Sequence, residues 1–164
     1  MAQLHFSTTV VLAIAAAPFA TAQSGGTAPP SARVVNRCSF PVTMWSVGSS
    51  LSGGFTLGAN GGSYGEQFSR DPVTGGRTLK VTRDSDGLFT GKPQLNFAYN
   101  LDGSQVWYDL SSVFGNALAG SKVVVSSAEA SCPAIVWSSG TPPSGSQVKV
   151  CTSSKDVTLT LCAP

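Results

Sequence analysis

Leu95-Asn96-Phe97-Ala98-Tyr99-Asn100-Leu101 alternates large and small or polar side chains without a break. Successive side chains of an extended chain point to opposite faces, so Leu95, Phe97, Tyr99 and Leu101 share one face and Asn96, Ala98 and Asn100 the other. Asp102-Gly103 comes next, a dipeptide suited to the positive φ angles of a two-residue hairpin turn. Residues 105–110 then supply the returning strand. An antiparallel hairpin at the centre of the chain is the frame on which the remaining segments are read.

Outward from it, short apolar or alternating runs are separated by Gly, Pro, Ser and Asp. Val34-Val35 and residues 42–47 form the first pair, and residues 79–82 follow a Gly75-Gly76 turn. Residues 123–125, 135–137 and 148–150 are further short candidates, and Val157, Leu159 and Leu161 alternate with Thr158 and Thr160 in a closing strand. Helical periodicity is nearly absent: only residues 111–118 have room for a turn, and Gly115-Asn116 argues against more. The pattern predicts an all-β fold, an antiparallel sandwich or flattened barrel over residues 33–164, with no internal repeat.

The start of the chain decides the compartment. Val10-Val11-Leu12-Ala13-Ile14-Ala15-Ala16-Ala17 has the length of a signal-peptide core, and Ala20-Thr21-Ala22 is a small-x-small cleavage pattern. The run is shorter than the ~20 apolar residues of a membrane span, and no later stretch reaches that length. Residues 1–22 therefore read as a signal peptide and residues 23–32, built of small and polar residues with Pro, as a flexible leader. The expected location is outside the cell.

Cleavage would remove His5, the single histidine of the chain. A Ser-His-Asp triad, a Cys-His pair and a histidine-ligated metal are then excluded, and proton chemistry falls to carboxylates, Tyr, Lys or Arg. Ten basic residues face eight acidic ones, none in runs, which argues against nucleic-acid and polybasic membrane partners. The four cysteines, Cys38, Cys132, Cys151 and Cys162, lack metal-ligand spacing and read as two disulfides, for which three connectivities exist. Joining Cys38, beside the first strand, to Cys162 in the last would staple the termini. Cys132–Cys151 would then close the loop carrying Thr141-Pro142-Pro143-Ser144-Gly145. In a regular strand Cys162 shares a face with Thr158 and Thr160, so the terminal bridge needs a rim position or a bulge.

Val35-Asn36-Arg37-Cys38-Ser39-Phe40-Pro41-Val42-Thr43-Met44-Trp45 resembles the opening strands of thaumatin-like proteins, V-N-x-C-x-[YF]-T-V-W, with two residues inserted before the Trp. Gly53-Gly54, Leu57-Gly58, Gly75-Gly76-Arg77, Tyr108-Asp109-Leu110-Ser111 and a Cys-x-Pro end follow in the family's order. The short length, the four cysteines and the stretch from Tyr108 through Gly115 resemble, within that superfamily, the fungal group of Blastomyces yeast-phase-specific proteins. The resemblance implies a thaumatin-type β-sandwich lacking the disulfide-rich second domain of plant members, and a bridge from first cysteine to last. It brings no settled reaction.

Larger thaumatin-like proteins carry a cleft of one Arg, one Glu and three Asp, linked to β-glucan binding and weak glucanase activity. Carried over by resemblance, Arg77 matches the Arg and Asp109 one Asp, while the Glu falls near Asn96 and the next Asp on Phe114, both uncharged. A glycosidase needs two carboxyl groups, about 5 Å apart for retention or about 6.5–9.5 Å for inversion. Asp109 has lost its partner by motif, and Glu66 and Asp84 are the candidates to replace it in space. The plainer expectation is that Asp109 and Arg77 form an ion pair or satisfy backbone groups in the sandwich. Asp84-Ser85-Asp86-Gly87 opens like a calcium loop but has Leu95 at the twelfth position, so it reads as a turn held by its Asp side chains. Trp45 and Trp137 lie in apolar strands and read as core, and Tyr64, in a Gly-rich loop, as exposed.

The expected function is that of a secreted, non-enzymatic protein of the cell wall or host interface. It binds a polysaccharide such as β-glucan, or a host protein, through Asp109, Arg77, Tyr64 and Glu66, as a monomer without cofactor or metal. The alternatives are a carboxylate-based β-glucan hydrolase using Asp109 and an effector or antigen that binds no carbohydrate.

Overall fold

A computed structural model describes residues 28–164. The signal-peptide reading of residues 1–22 and the first part of the leader lie outside the described residues. Eleven strands make up the domain: β1 (Ser31–Asn36), β2 (Val42–Val47), β3 (Leu51–Leu57), β4 (Gly62–Gln67), β5 (Arg77–Thr82), β6 (Gln94–Asp102), β7 (Gln105–Val113), β8 (Val123–Ser127), β9 (Ile135–Trp137), β10 (Lys149–Thr152) and β11 (Val157–Leu161). They form a five-stranded sheet, β4-β1-β11-β8-β9, and a six-stranded sheet, β10-β7-β6-β5-β2-β3. The first and last strands lie side by side and parallel, while every other pairing is antiparallel.

The alternating faces of the central hairpin are those of the sandwich. Leu95, Phe97 and Tyr99 of β6, with Val106, Tyr108 and Leu110 of β7, are buried, and pack in one core with Val157, Leu159 and Leu161 of β11 and Val123 and Val125 of β8. Burial of each such side chain contributes about 1.5–3 kcal/mol, and removing the inward row of either sheet would leave the other facing water. Trp45 and Trp137 are both buried, and the Trp137 indole N–H donates to Gln147 Oε1 at 3.0 Å. The ladder also takes in Ser31 and Ala32, at the end of the stretch whose composition reads as leader. Ala32 is fully buried between Val157 and Glu66 of the neighbouring strands, where only a small side chain is needed to continue the core row.

The bridges are Cys38–Cys162 and Cys132–Cys151. β11 ends at Leu161, and Cys162 takes a left-handed backbone (φ 50°) that turns it off the threonine face toward Cys38. Beside it, buried Asn36 contacts the carbonyls of Phe40, Leu57 and Gly58 through Nδ2 at 2.9–3.1 Å and accepts the Cys38 N–H at 3.0 Å. One side chain thereby satisfies the backbone where three segments cross.

Three departures from the sequence reading have physical causes. β3 and β4 carry no hydrophobic run, because β3 is an edge strand whose residues are exposed on both faces except Leu57. Its Gly53-Gly54 step forms a bulge against Trp45, and a Cβ on Gly53 (φ 141°) would lie 2.5 Å from the Trp45 Cα. β7 continues to Val113, so the first three residues of the segment with room for a helical turn are strand. The Asp84 to Gly87 turn is closed by the Gly87 N–H to Asp84 C=O bond at 3.2 Å and by the Thr82 hydroxyl on the same carbonyl, in place of the expected Asp side chains.

Candidate functional site

The outer face of the six-stranded sheet carries an open hollow of about 470 Å³ that crosses β2, β5, β6 and β7 and reaches the approach to β10. Asp109 pairs with Ala98 and Ala98 with Thr78, so these three form one transverse row on that face, with Trp107 two residues before Asp109. Trp107 is 43% exposed, which is unusual for a ring of that size in a strand, and Val47 and Val148 flank the hollow. A second hollow of about 370 Å³ begins on the other side of Asp109, under the loop bearing Pro142, Pro143 and Gln147. Asp109 lines both and, among the described residues, is the one carboxylate that lines either. Among the described residues no donor or cation reaches its carboxylate.

Arg77 opens β5 and extends to the opposite side of the same sheet. Its Nη2 donates to Ser46 Oγ at 2.8 Å, its Nε to Glu66 Oε1 at 3.1 Å, and its Nη1 lies 3.8 Å from Asp71 Oδ2. Glu66 comes from β4 of the five-stranded sheet and also accepts the hydroxyls of Tyr99 (2.6 Å, Oε1) and Tyr64 (2.9 Å, Oε2). The cluster therefore ties the two sheets together at one end of the sandwich. Side-chain exposure of only 17% for Arg77, 16% for Glu66 and 1% for Asp71 makes these charge-assisted bonds stronger than surface pairs.

Asp71 is the most constrained acid. Oδ1 accepts the N–H groups of Val73 and Thr74 at 3.0 and 2.9 Å, and Oδ2 accepts the Ser49 N–H and hydroxyl, both at 2.8 Å. The backbone bonds from Thr74 and Ser49 hold its carboxyl well below the usual carboxylate range. Burial, with the hydrogen bond to Glu66 second, pushes the Tyr64 phenol up to about 12, and the same two causes raise Tyr99. Gly48 admits this arrangement: a Cβ there would sit 2.4 Å from Asp71 Oδ2.

Of the four residues read as a site from sequence, the fold brings Arg77, Glu66 and Tyr64 together and leaves Asp109 apart. The expected Asp109–Arg77 ion pair is absent, because alternation along the strands places the two side chains on opposite faces of the sheet. Tyr64 is not an exposed loop residue: it lies in β4, half-buried, stacked on Phe55 at 5.3 Å between centroids. Glu66 and Asp84 line neither hollow, so neither replaces the lost partner of Asp109. Asn96 is buried on the outer face of β6, and Phe114 stands 65% exposed with φ 59° beyond β7. Asp71, Ser46 and Tyr99 escaped the sequence reading. The one available signal was Asp71-Pro72, an Asp before Pro at the head of a turn that closes on Gly75.

Sequence comparison gives this architecture its family. The profile of the Blastomyces yeast-phase-specific protein matches residues 19–163. The chain belongs to this thaumatin-like family. It is 31% identical over 170 residues to the secreted thaumatin-like protein calA of Emericella nidulans, covering 94% of each chain. It is 27% identical over 169 residues to an antigenic thaumatin-like protein of Arthroderma benhamiae, covering 98% of this chain and 85% of that one. The crystal structure of the protein elicitor MoHrip2 from Magnaporthe oryzae superposes with a TM-score of 0.66 at 27% identity, over 82% of this chain and 99% of the elicitor. The match spans the motifs from Val35 to Ser111, and Asp109 lies within Tyr108-Asp109-Leu110-Ser111.

Proposed function

We propose that this family member is secreted and acts at the fungal cell wall or host interface as a non-enzymatic binding protein, with the outer hollow as its contact surface. The observation that carries the reading is the Asp109 carboxylate beside exposed Trp107 in a hollow that no second acid lines among the described residues. Glycoside hydrolysis divides its work between two carboxyl groups, and a single carboxylate beside an aromatic face supports recognition without that division. The names of the relatives, one secreted, one antigenic and one an elicitor, support action outside the cell.

The test is a pull-down of the purified chain on insoluble β-1,3-glucan, chitin and cellulose, with reducing sugar assayed in the same tubes. Saturable binding without sugar release, lost in Trp107→Ala, is the expected result. Sugar release abolished by Asp109→Asn makes the protein an enzyme and overturns the reading. Absence of both removes carbohydrate from the account.

A further inference from the structure

The charges around the hollow are unequal. Among the described residues Arg77 is its only cationic lining residue, and its guanidinium is already engaged by Glu66, Asp71 and Ser46. Lys80, on the same outer face, belongs to the next row, opposite Asn96, where its Nζ reaches Gln94 Oε1 at 3.5 Å. Asp109 is thus an acceptor that no donor or cation among the described residues engages. A carboxylate in this state favours a ligand that brings its own positive charge.

The hollow also selects the form of that ligand. It lies over β5, β6 and the stretch of β7 that ends at Tyr108, where the backbone is paired on both sides, and β7 lacks its β10 partner only from Asp109 onward, so the floor of the hollow offers no free N–H or C=O row to a peptide main chain. What it offers is the Trp107 ring, the Asp109 carboxylate and the side chains of Thr74, Thr78 and Asn100. An indole face takes the C–H face of a pyranose, and hydroxyl and amide groups match ring hydroxyls. An ammonium is attracted both by a carboxylate and by an aromatic face within about 6 Å. About 470 Å³ falls inside the roughly 300–1,000 Å³ range of ligand sites.

We propose that the hollow recognises saccharides bearing free amino groups, as in glucosamine oligomers, with a pyranose on Trp107 and the ammonium against Asp109. This rests on the binding reading of the same hollow and adds the charge of the ligand to it.

The test uses the full disulfide-bonded chain and glucosamine oligomers, N-acetylglucosamine oligomers and β-1,3-glucan oligomers of equal length, followed by Trp fluorescence and calorimetry at mildly acidic pH. Glucosamine oligomers are expected to bind at least about tenfold more tightly than either neutral series, which is about 1.4 kcal/mol. Asp109→Asn should remove that preference and its salt dependence, and Trp107→Ala should remove binding of all three. Equal binding of charged and neutral oligomers, lost in Trp107→Ala but unchanged in Asp109→Asn, keeps the hollow as the site and overturns the amine preference. Binding indifferent to both substitutions, or absent for all three, overturns the hollow as well. Both variants should melt with the wild type, so a loss of binding is not a loss of fold.

Discussion

Two acidic regions lie back to back in this sandwich and treat their carboxylates in opposite ways. Between the sheets, Glu66 and Asp71 are saturated: each oxygen accepts a hydrogen bond, and both acids share Arg77. On the outer face, no donor among the described residues reaches Asp109, which lines the hollow. The difference follows from what each residue cost to bury. A carboxylate taken from water costs several kcal/mol unless its lone pairs are filled, so an interior acid is kept only with a full set of donors. An acid at the surface keeps its hydration and leaves its charge available to a ligand. The inner cluster therefore reads as architecture, while the outer acid is the one proposed to meet a ligand, although sequence alone grouped Arg77, Glu66 and Asp109 as one site.

The sharpest break in that comparison is Arg77→Ala. It leaves Glu66 and Asp71 facing each other across the sheet interface and should lower stability by about 3–5 kcal/mol, read as a lower urea midpoint. Gly48→Ala comes next, since its methyl collides with Asp71 Oδ2, and should cost about 1–3 kcal/mol.

The pH dependence of unfolding separates the members of the cluster. The folded-state pKa of Asp71 is depressed, so its contribution is present above the unfolded value near 4 and declines as pH falls below it. Asp71→Asn should flatten this acid limb. Tyr64 and Tyr99 are raised, so their contribution is present below the unfolded value near 10 and is lost as pH rises toward 12. Tyr64→Phe should flatten part of the alkaline limb and leave the acid limb alone.

The smallest effects belong to the outer face. Asp109→Asn and Trp107→Ala should move stability by no more than about 0.5 kcal/mol, since no protein partner of Asp109 is lost and Trp107 is exposed. A large loss of stability in Asp109→Asn would show a structural role and erase the contrast between the two regions.

The alternation of residues 95–101, the Asp102-Gly103 turn and the closing Val157-Thr158-Leu159-Thr160-Leu161 run were enough to give an all-β sandwich, because a period of two is a property of the extended chain itself. The buried fate of Trp45 and Trp137 was legible for the same reason. β3 and β4 were not, since an exposed edge strand of Gly and Ser has no core face to write into the sequence. Nor was the partition of the charged residues. Whether Arg77 meets Asp109 or Glu66 depends on which strands are neighbours and in what register, and both are set by pairings that span tens of residues. Sequence thus determined the fold class and supplied Asp109 and Trp107 as raw material. Only the stacking of one sheet on the other decided that Glu66, Asp71 and Arg77 neutralise one another inside and that Asp109 stays free outside.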